Sequence, residues 1–348
     1  MEIKAEITGI KYTPLLCRVL EEVPIKNFSD ILSKKANFIL RIDKTNKIAI
    51  SWWVSPKRTR SYPYARVYDT LNFSGKKVTI IPIFKDEGKE GDRDFLQWDT
   101  ISLMSLLGVY VIISYYIEAE PSKRYANKIT NQKFDITQIK KEINKLLNYQ
   151  SDALHWNLEQ IDNAGKLGKK ALLSYKKLSK KLNITMRSED AAKKKIDILQ
   201  QNKEIFRKAS RDLAQKAQIR ESKIVQPKEF LSGEKAILTI KNYLGGFYYF
   251  TADEARIKCN KIFLIEGKHS CHSLLPSLED IKDGLIKMVL FTNLKNVTID
   301  NKTYKPMPTL KLSSSKGFKY KKLNSRQKEI VNLLKKEAKI NNFIIEYS

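Results

Sequence analysis

Two apolar stretches near the start of the chain have the pattern of paired β-strands. Residues 38–42 and 47–54 are rich in Ile, Phe and Trp, and turn-forming residues separate them, which predicts a β-hairpin. A third apolar run, residues 78–84, predicts a buried or edge strand, since Pro82 disfavours a central position in a sheet. The first hundred residues are therefore expected to be mainly β.

The uncharged segment 101–117 follows these strands. Its 17 residues are at the lower limit for a membrane-spanning helix, and they include three serines and Gly108. We therefore expect a buried core helix beneath the sheet, with a transmembrane span as the alternative.

Residues 136–222 have the apolar periodicity of helices. Gly165 and Gly168 predict a break, and Ser188 is the expected N-cap of a second long helix, with two acidic residues in its first turn. Residues 160–225 contain 18 Lys or Arg and 7 Asp or Glu. Either a solvated helical face or a cradle for a DNA backbone explains this charge.

The stretch 251–269 predicts two strands joined by a turn at residues 258–261. A turn of two or four residues places Asp253 opposite Glu266, whereas an odd turn length places Glu254 there, because a shift of one residue exchanges the faces of a strand. Asp253 is therefore the favoured first carboxylate, and Glu254 stays the alternative.

Glu266 and Lys268 share one face of the second strand, because alternate strand residues point the same way. Carboxylate oxygens bind a hard cation such as Mg²⁺, and such an ion activates water and phosphoryl groups. A neighbouring lysine can hold the attacking water or stabilise developing charge. The pattern therefore suits hydrolysis of phosphodiester bonds, whereas a simple salt bridge between Glu266 and Lys268 is the alternative explanation.

Asp253, followed by Glu266, Gly267 and Lys268, resembles the catalytic motif of the PD-(D/E)XK nuclease superfamily. Ala252 stands where the name of the motif has Pro. The resemblance implies that Asp253 and Glu266 bind Mg²⁺ and that Lys268 assists the attacking water.

The sequence around this motif is similar to the catalytic region of some type II restriction endonucleases. The similarity covers residues 251–294 and includes LIEGKHS at 264–270 and DIKDGL at 280–285. In this superfamily a helix packs on the catalytic sheet. Ser277 is the expected N-cap of that helix, whose apolar stripe would be core, while Lys282 is expected to be solvated.

Composition favours an anionic partner. The 348 residues include 65 Lys or Arg and 38 Asp or Glu, a formal net charge of +27, and 42% are hydrophobic. Such a chain is no disordered basic tail, and nucleic acid is the first candidate partner, an anionic membrane surface the second. Three cysteines and three histidines without a Cys-x-x-Cys pair argue against a disulfide scaffold or structural zinc and favour a reducing cytosol. The N-terminus lacks the apolar run of a signal peptide.

Two basic segments are candidates for DNA contact. Residues 51–66 combine three arginines and one lysine with four aromatic residues, and residues 300–348 hold 12 Lys or Arg against 4 Asp or Glu. An exposed loop is the alternative for the first segment. With a histidine beside the motif, the candidate DNA-binding residues are Lys57, Arg58, Arg60, Arg66, His269, Lys316, Lys319, Lys321 and Lys322.

We therefore expect an α/β protein in three parts. Residues 1–125 would form a β-rich domain with one buried helix and a candidate role in DNA recognition, and residues 126–225 a basic helical region. Residues 226–348 would form a restriction-endonuclease-like domain, a mixed sheet flanked by helices, with a basic C-terminal segment.

The resemblance implies a type II restriction endonuclease that cuts double-stranded DNA at a specific sequence with Mg²⁺. Such an enzyme would act in the cytoplasm as a homodimer, without a membrane partner, beside a separate DNA methyltransferase. Two alternatives stay open: a repair or structure-specific nuclease of the same superfamily, and a non-catalytic nucleic-acid-binding protein.

Overall fold

The computed structural model describes residues 1–57, 61–201, 234–243 and 246–348. The chain forms two compact units. We call residues 1–19 and 211–348 the terminal unit, and residues 20–210 the inserted unit.

Both units contain strands and helices. In chain order the strands are β1 (Glu2–Ile7), β2 (Glu22–Pro24), β3 (Asn37–Arg41), β4 (Lys47–Trp52), β5 (Lys77–Pro82), β6 (Phe84–Asp86), β7 (Arg93–Phe95), β8 (Val109–Ser114), β9 (Tyr116–Pro121), β10 (Ile129–Phe134), β11 (Glu234–Asn242), β12 (Phe247–Lys258), β13 (Lys261–Ser270), β14 (Lys295–Ile299), β15 (Lys302–Thr303), β16 (Lys305–Ser314) and β17 (Ile344–Tyr347). In the described ranges the α-helices are α1 (Phe28–Lys34), α2 (Pro63–Tyr68), α3 (Trp98–Leu106), α4 (Ile136–Leu147), α5 (Ala153–Asp162), α6 (Ala164–Leu182), α7 (Glu189–Gln201), α8 (Leu278–Phe291) and α9 (Ser325–Asn341).

The inserted unit contains a five-stranded sheet in the order β2-β3-β4-β5-β8. The expected hairpin is confirmed, since β3 and β4 are antiparallel with Phe38 opposite Ile50. Strand β5 lies between β4 and β8 and is parallel to both, so the expectation that Pro82 disfavours a central strand was wrong. Pro82 is tolerated because it is the last residue of that strand.

The expected core helix over residues 101–117 is wrong. Helix α3 ends at Leu106, Gly108 follows with φ of +65°, and β8 begins at Val109. Strand β8 is rich in Val and Ile, which favour strands, and most of its residues are buried. Such a strand has no alternating pattern, so its hydrophobicity cannot be distinguished from that of a buried helix. Within the described ranges, no helix is long and apolar enough to cross a membrane.

Helices α4 to α7 occupy much of the predicted helical region, and residues 202–222 of that prediction lie outside the described residues. The break lies at Asn163 rather than at the glycines, which are inside α6. A Cβ on Gly168 would lie 2.7 Å from Cγ2 of Ile196, so this glycine allows α6 and α7 to approach closely. Helix α7 begins directly after Ser188, as expected.

The terminal unit is built on an eight-stranded mixed sheet in the order β15-β14-β1-β11-β12-β13-β16-β17. Strand β1 is parallel to β11, and β13 is parallel to β16. The division into units differs from the boundaries expected after residues 125 and 225, because β1 pairs with a strand more than two hundred residues away. Helix α8 contacts β13 and β16 and covers the face on which the candidate site lies.

Candidate active site

A tight hairpin places the acidic residues of the motif. Strands β12 and β13 are antiparallel, with Glu254 opposite Ile265 and Lys258 opposite Lys261, so the turn has two residues, one of the lengths that give the favoured register. Cys259 occupies this turn with φ of +55°, in the left-handed region that such turns require. The predicted register is therefore confirmed.

Asp253 and Glu266 lie side by side at the end of this pairing. Oδ2 of Asp253 accepts a hydrogen bond from the backbone N–H of Gly267 at 2.8 Å, and its carboxyl group lies close to that of Glu266. Glu266 is only 2% exposed, whereas Asp253 is half-buried. The pair is therefore anchored in the sheet and accessible from one side.

Lys268 connects this pair to helix α8. Its Nζ lies 3.0 Å from Oε1 of Glu266 and 2.8 Å from Oδ2 of Asp283. Lys287, one turn further along α8, places its Nζ 2.5 Å from Oε2 of Glu266 and 3.3 Å from the backbone carbonyl of Thr251. Each carboxylate oxygen of Glu266 thus has its own ammonium partner.

Sequence reasoning missed Asp283 and Lys287. The two residues are four positions apart on α8, beside the apolar stripe, and this spacing puts side chains on one helix face. The apolar stripe itself is core as predicted, since Ile281 and Leu285 are fully buried. Lys282 is also fully buried, so the expectation of a solvated lysine was wrong. The position of the apolar stripe does not indicate how much of the rest of the helix surface is covered by other parts of the unit.

The charges of the site fix its protonation. Burial alone would raise the pKa of Glu266, but the ammonium groups of Lys287 and Lys268 outweigh it and lower the pKa to about 2. Burial would likewise lower the pKa of Lys268, but the carboxylates of Glu266 and Asp283 raise it above its ordinary value. At neutral pH the site therefore contains an ionised Glu266 and a protonated Lys268.

A glycine makes room for the lysine. A Cβ on Gly284 would lie 2.8 Å from Cδ1 of Leu310 and 3.2 Å from Cε of Lys268, so the alkyl chain of Lys268 packs directly on the backbone of α8. The helix begins as predicted, because Oγ of Ser277 accepts a hydrogen bond from the backbone N–H of Asp280 at 3.1 Å. Together these contacts hold α8 against the face that carries the motif.

Glu254 belongs to a different network. The pairing of β12 with β11 shifts register by one residue at Asp253 and Glu254. Glu254 is fully buried and lies 3.1 Å from Nε of Arg256, which itself contacts Glu346 at 2.8 Å. Asp253 is therefore the acid that the fold brings to Glu266 and Lys268.

The candidate DNA-binding residues lie in several places. Lys57, Lys316, Lys319, Lys321 and Lys322 are exposed, while Arg58 and Arg60 lie outside the described residues.

Arg66 and His269 are engaged inside their own units. Arg66 donates a hydrogen bond to the carbonyl of Trp52 at 2.8 Å and lies 4.6 Å from the centre of its ring. The two ring nitrogens of His269 lie 2.9 Å and 3.0 Å from the hydroxyls of Ser313 and Ser315.

The donor atoms at this site fit a magnesium ion. Among the residues that are described, no group of three or more His, Cys, Asp or Glu forms a complete cage. Mg²⁺ does not require one, since it is commonly held by one or two carboxylates together with water and substrate phosphates. Asp253 and Glu266 supply such a pair, and Lys287 contacts one carboxylate oxygen of Glu266.

Comparison with known proteins neither adds to nor opposes this picture. No family model matches the chain, and neither a curated protein nor a solved structure gives a match.

Proposed function

We propose that this protein is a Mg²⁺-dependent nuclease that hydrolyses phosphodiester bonds of double-stranded DNA, specifically a type II restriction endonuclease of the PD-(D/E)XK superfamily. The observation that carries the proposal is the pair of adjacent carboxylates, Asp253 and Glu266, with the ammonium of Lys268 at 3.0 Å from Glu266.

Asp253 and Glu266 would hold the metal ion. When bound there, Mg²⁺ would polarise a phosphoryl oxygen and lower the pKa of a water molecule. Acidic side chains repel a phosphate, so their presence in a chain of net charge +27 supports a cation between them and the substrate. The half-buried Asp253 leaves this place accessible from solvent.

Lys268 would orient the attacking water and stabilise charge on the phosphate. Its raised pKa keeps it protonated at neutral pH, so it acts as a hydrogen-bond donor rather than as a general base. Asp283 accepts a hydrogen bond from its Nζ at 2.8 Å and thereby holds the ammonium in place. Asp283 is a positioning residue, because it acts through Lys268.

The type of enzyme that we propose also implies an oligomeric state, a location in the cell and a partner enzyme. Cleavage of both strands at a symmetric sequence favours a homodimer in which each subunit supplies one site. A cytoplasmic location and a separate DNA methyltransferase with the same sequence preference belong to the same proposal. A repair or structure-specific nuclease would use the same residues.

One observation favours a second candidate, a non-catalytic DNA-binding protein. Both oxygens of Glu266 are already paired with lysines, as in a structural salt-bridge network. In that case Glu266 and Lys268 would stabilise the sheet and have no substrate.

Incubation of plasmid DNA with the protein, in Mg²⁺ or in EDTA, separates these candidates. We expect discrete fragments in Mg²⁺ only, and none with Glu266→Gln or Lys268→Met. A smear or ladder would indicate a less specific nuclease, and binding without cleavage would favour the non-catalytic candidate. Full cleavage by Glu266→Gln would eliminate this site.

A further inference from the structure

A basic cavity in the inserted unit includes part of the basic segment 160–225, for which a cradle for a DNA backbone was one explanation. Its volume is about 690 Å³, and β7, the residues before α7 and the first turns of α7 line it. Four of the lining side chains are cationic, namely Lys89, Arg93, Arg187 and Lys195, and no carboxylate is among the described lining residues. Such a lining favours an anionic ligand.

Two glycines build the wall that holds Arg187. Its guanidinium donates hydrogen bonds to the carbonyls of Gly88, at 3.3 Å, and Gly91. Gly88 has φ of +96°, and a Cβ there would lie 2.4 Å from the carbonyl oxygen of Asn127. A Cβ on Gly91 would lie 2.3 Å from Cβ of Glu87, so neither position accepts a larger residue without a shift of the loop. The backbone carbonyls orient Arg187, and no carboxylate of the described residues forms an ion pair with it.

The other cations differ in how they are held. Arg93 is fixed by Asp86, with Nε 2.7 Å from Oδ2, and by the carbonyl of Ser188, so much of its charge is balanced. Lys195 lies 4.5 Å above the ring of Phe95, and Lys89 is exposed at the rim. Arg187, Lys195 and Lys89 therefore supply the positive field of the cavity.

From this arrangement we propose that the cavity binds phosphate groups of the DNA backbone, an inference that rests on the proposed function. A guanidinium can contact a phosphate with two parallel hydrogen bonds, and flexible ammonium groups add charge without demanding a fixed geometry. Contacts of this kind position a protein on DNA and carry no sequence information directly. The cavity would thus strengthen binding to any duplex.

Fluorescence anisotropy with a labelled DNA duplex in EDTA, at several KCl concentrations, tests this inference. The variant Lys89→Ala/Lys195→Ala removes two cavity charges. Its matched control is Lys177→Ala/Lys194→Ala, which removes two exposed lysines of α6 and α7 that do not line the cavity. We expect weaker binding for the cavity variant, with a slope of log affinity against log salt that is smaller by about 2, and near wild-type values for the control.

Arg187→Gln provides a third variant, with an expected decrease in the slope of about 1. Thermal melting checks that each variant is folded. Lys89 and Lys195 are exposed, so truncation of their side chains creates no cavity in the core. Equal binding by the cavity variant and its control overturns the inference and leaves the nuclease proposal standing. Binding of the wild type to phosphatidylserine vesicles but not to the duplex overturns both.

Discussion

The ammonium of Lys287 lies 2.5 Å from Oε2 of Glu266, one of the two carboxylates that we propose to hold the metal ion. A lysine and a divalent cation cannot occupy the same place, because like charges repel. We therefore expect a bound metal ion to displace Lys287 from Glu266. Until then, the lysine keeps Glu266 ionised.

Replacement of Lys287 by Met should strengthen metal binding. The substitution removes the competing charge and preserves most of the alkyl chain, so we expect an affinity for Mn²⁺ that is higher by about tenfold, equivalent to about 1.4 kcal/mol. Isothermal titration calorimetry without DNA measures this directly. Lys287→Arg keeps the charge and should resemble the wild type. Unchanged or weaker Mn²⁺ binding by Lys287→Met would contradict a competition between Lys287 and the metal ion for Glu266.

Asp283→Asn should lower the rate of cleavage and leave DNA affinity unchanged. Lys268 loses the carboxylate that holds its ammonium at 2.8 Å, so we expect kcat to fall by about tenfold or more, which corresponds to at least about 1.4 kcal/mol in the barrier. Single-turnover kinetics and duplex binding separate the two quantities. Asp280→Asn, at the start of the same helix, is the control. Wild-type kcat in Asp283→Asn would show that this residue does not position Lys268.

Gly284→Ala should lower both stability and cleavage activity, because the added methyl group crowds the side chain of Lys268. The new methyl group would lie 3.2 Å from Cε of Lys268 and 2.8 Å from Leu310. Overpacking costs about 1–3 kcal/mol, partly offset by the gain of about 1 kcal/mol in helix propensity. Urea unfolding and the cleavage assay measure the two effects. Gly9→Ala, where nothing lies within 4 Å of the added atom, should change neither, and full activity in Gly284→Ala would rule out a tight packing of Lys268 on α8.

Low pH should lower the free energy of unfolding of the terminal unit, because Glu266 becomes protonated. Its pKa falls from 4.5 to about 2 in the folded protein, so its ionised form stabilises the fold above pH 4.5, and this contribution disappears as the pH falls through about 2. Urea unfolding across this range should show a smaller loss of stability in Glu266→Gln than in the wild type, even if the variant is less stable at every pH. Equal losses would mean that Glu266 is not held ionised by its lysines.

The local parts of the site could be predicted from the sequence. Register in a hairpin depends on the length of one short turn, so the placement of Asp253 and Glu266 followed from a few neighbouring residues. Asp283 and Lys287 were not found, because their partners lie on β13 and the packing of α8 on that strand is a tertiary contact.

The predictions of the domain boundaries and of the segment 101–117 failed for related reasons. The pairing of β1 with β11 joins segments far apart in the chain, and no local pattern indicates it. The segment 101–117 contains a helix and a strand that are both buried, so its composition alone does not show where one ends and the other begins.

The most direct test of the proposed site compares two adjacent carboxylates with different partners, Asp253 beside Gly267 and Glu254 beside Arg256. Supercoiled plasmid is incubated in Mg²⁺ with wild type, Asp253→Asn or Glu254→Gln, and melting temperatures confirm that the variants are folded. Our account predicts that Asp253→Asn abolishes cleavage, whereas Glu254→Gln, in the separate network with Arg256, still cuts at the same positions as the wild type. Cleavage by Asp253→Asn at the wild-type rate would contradict it.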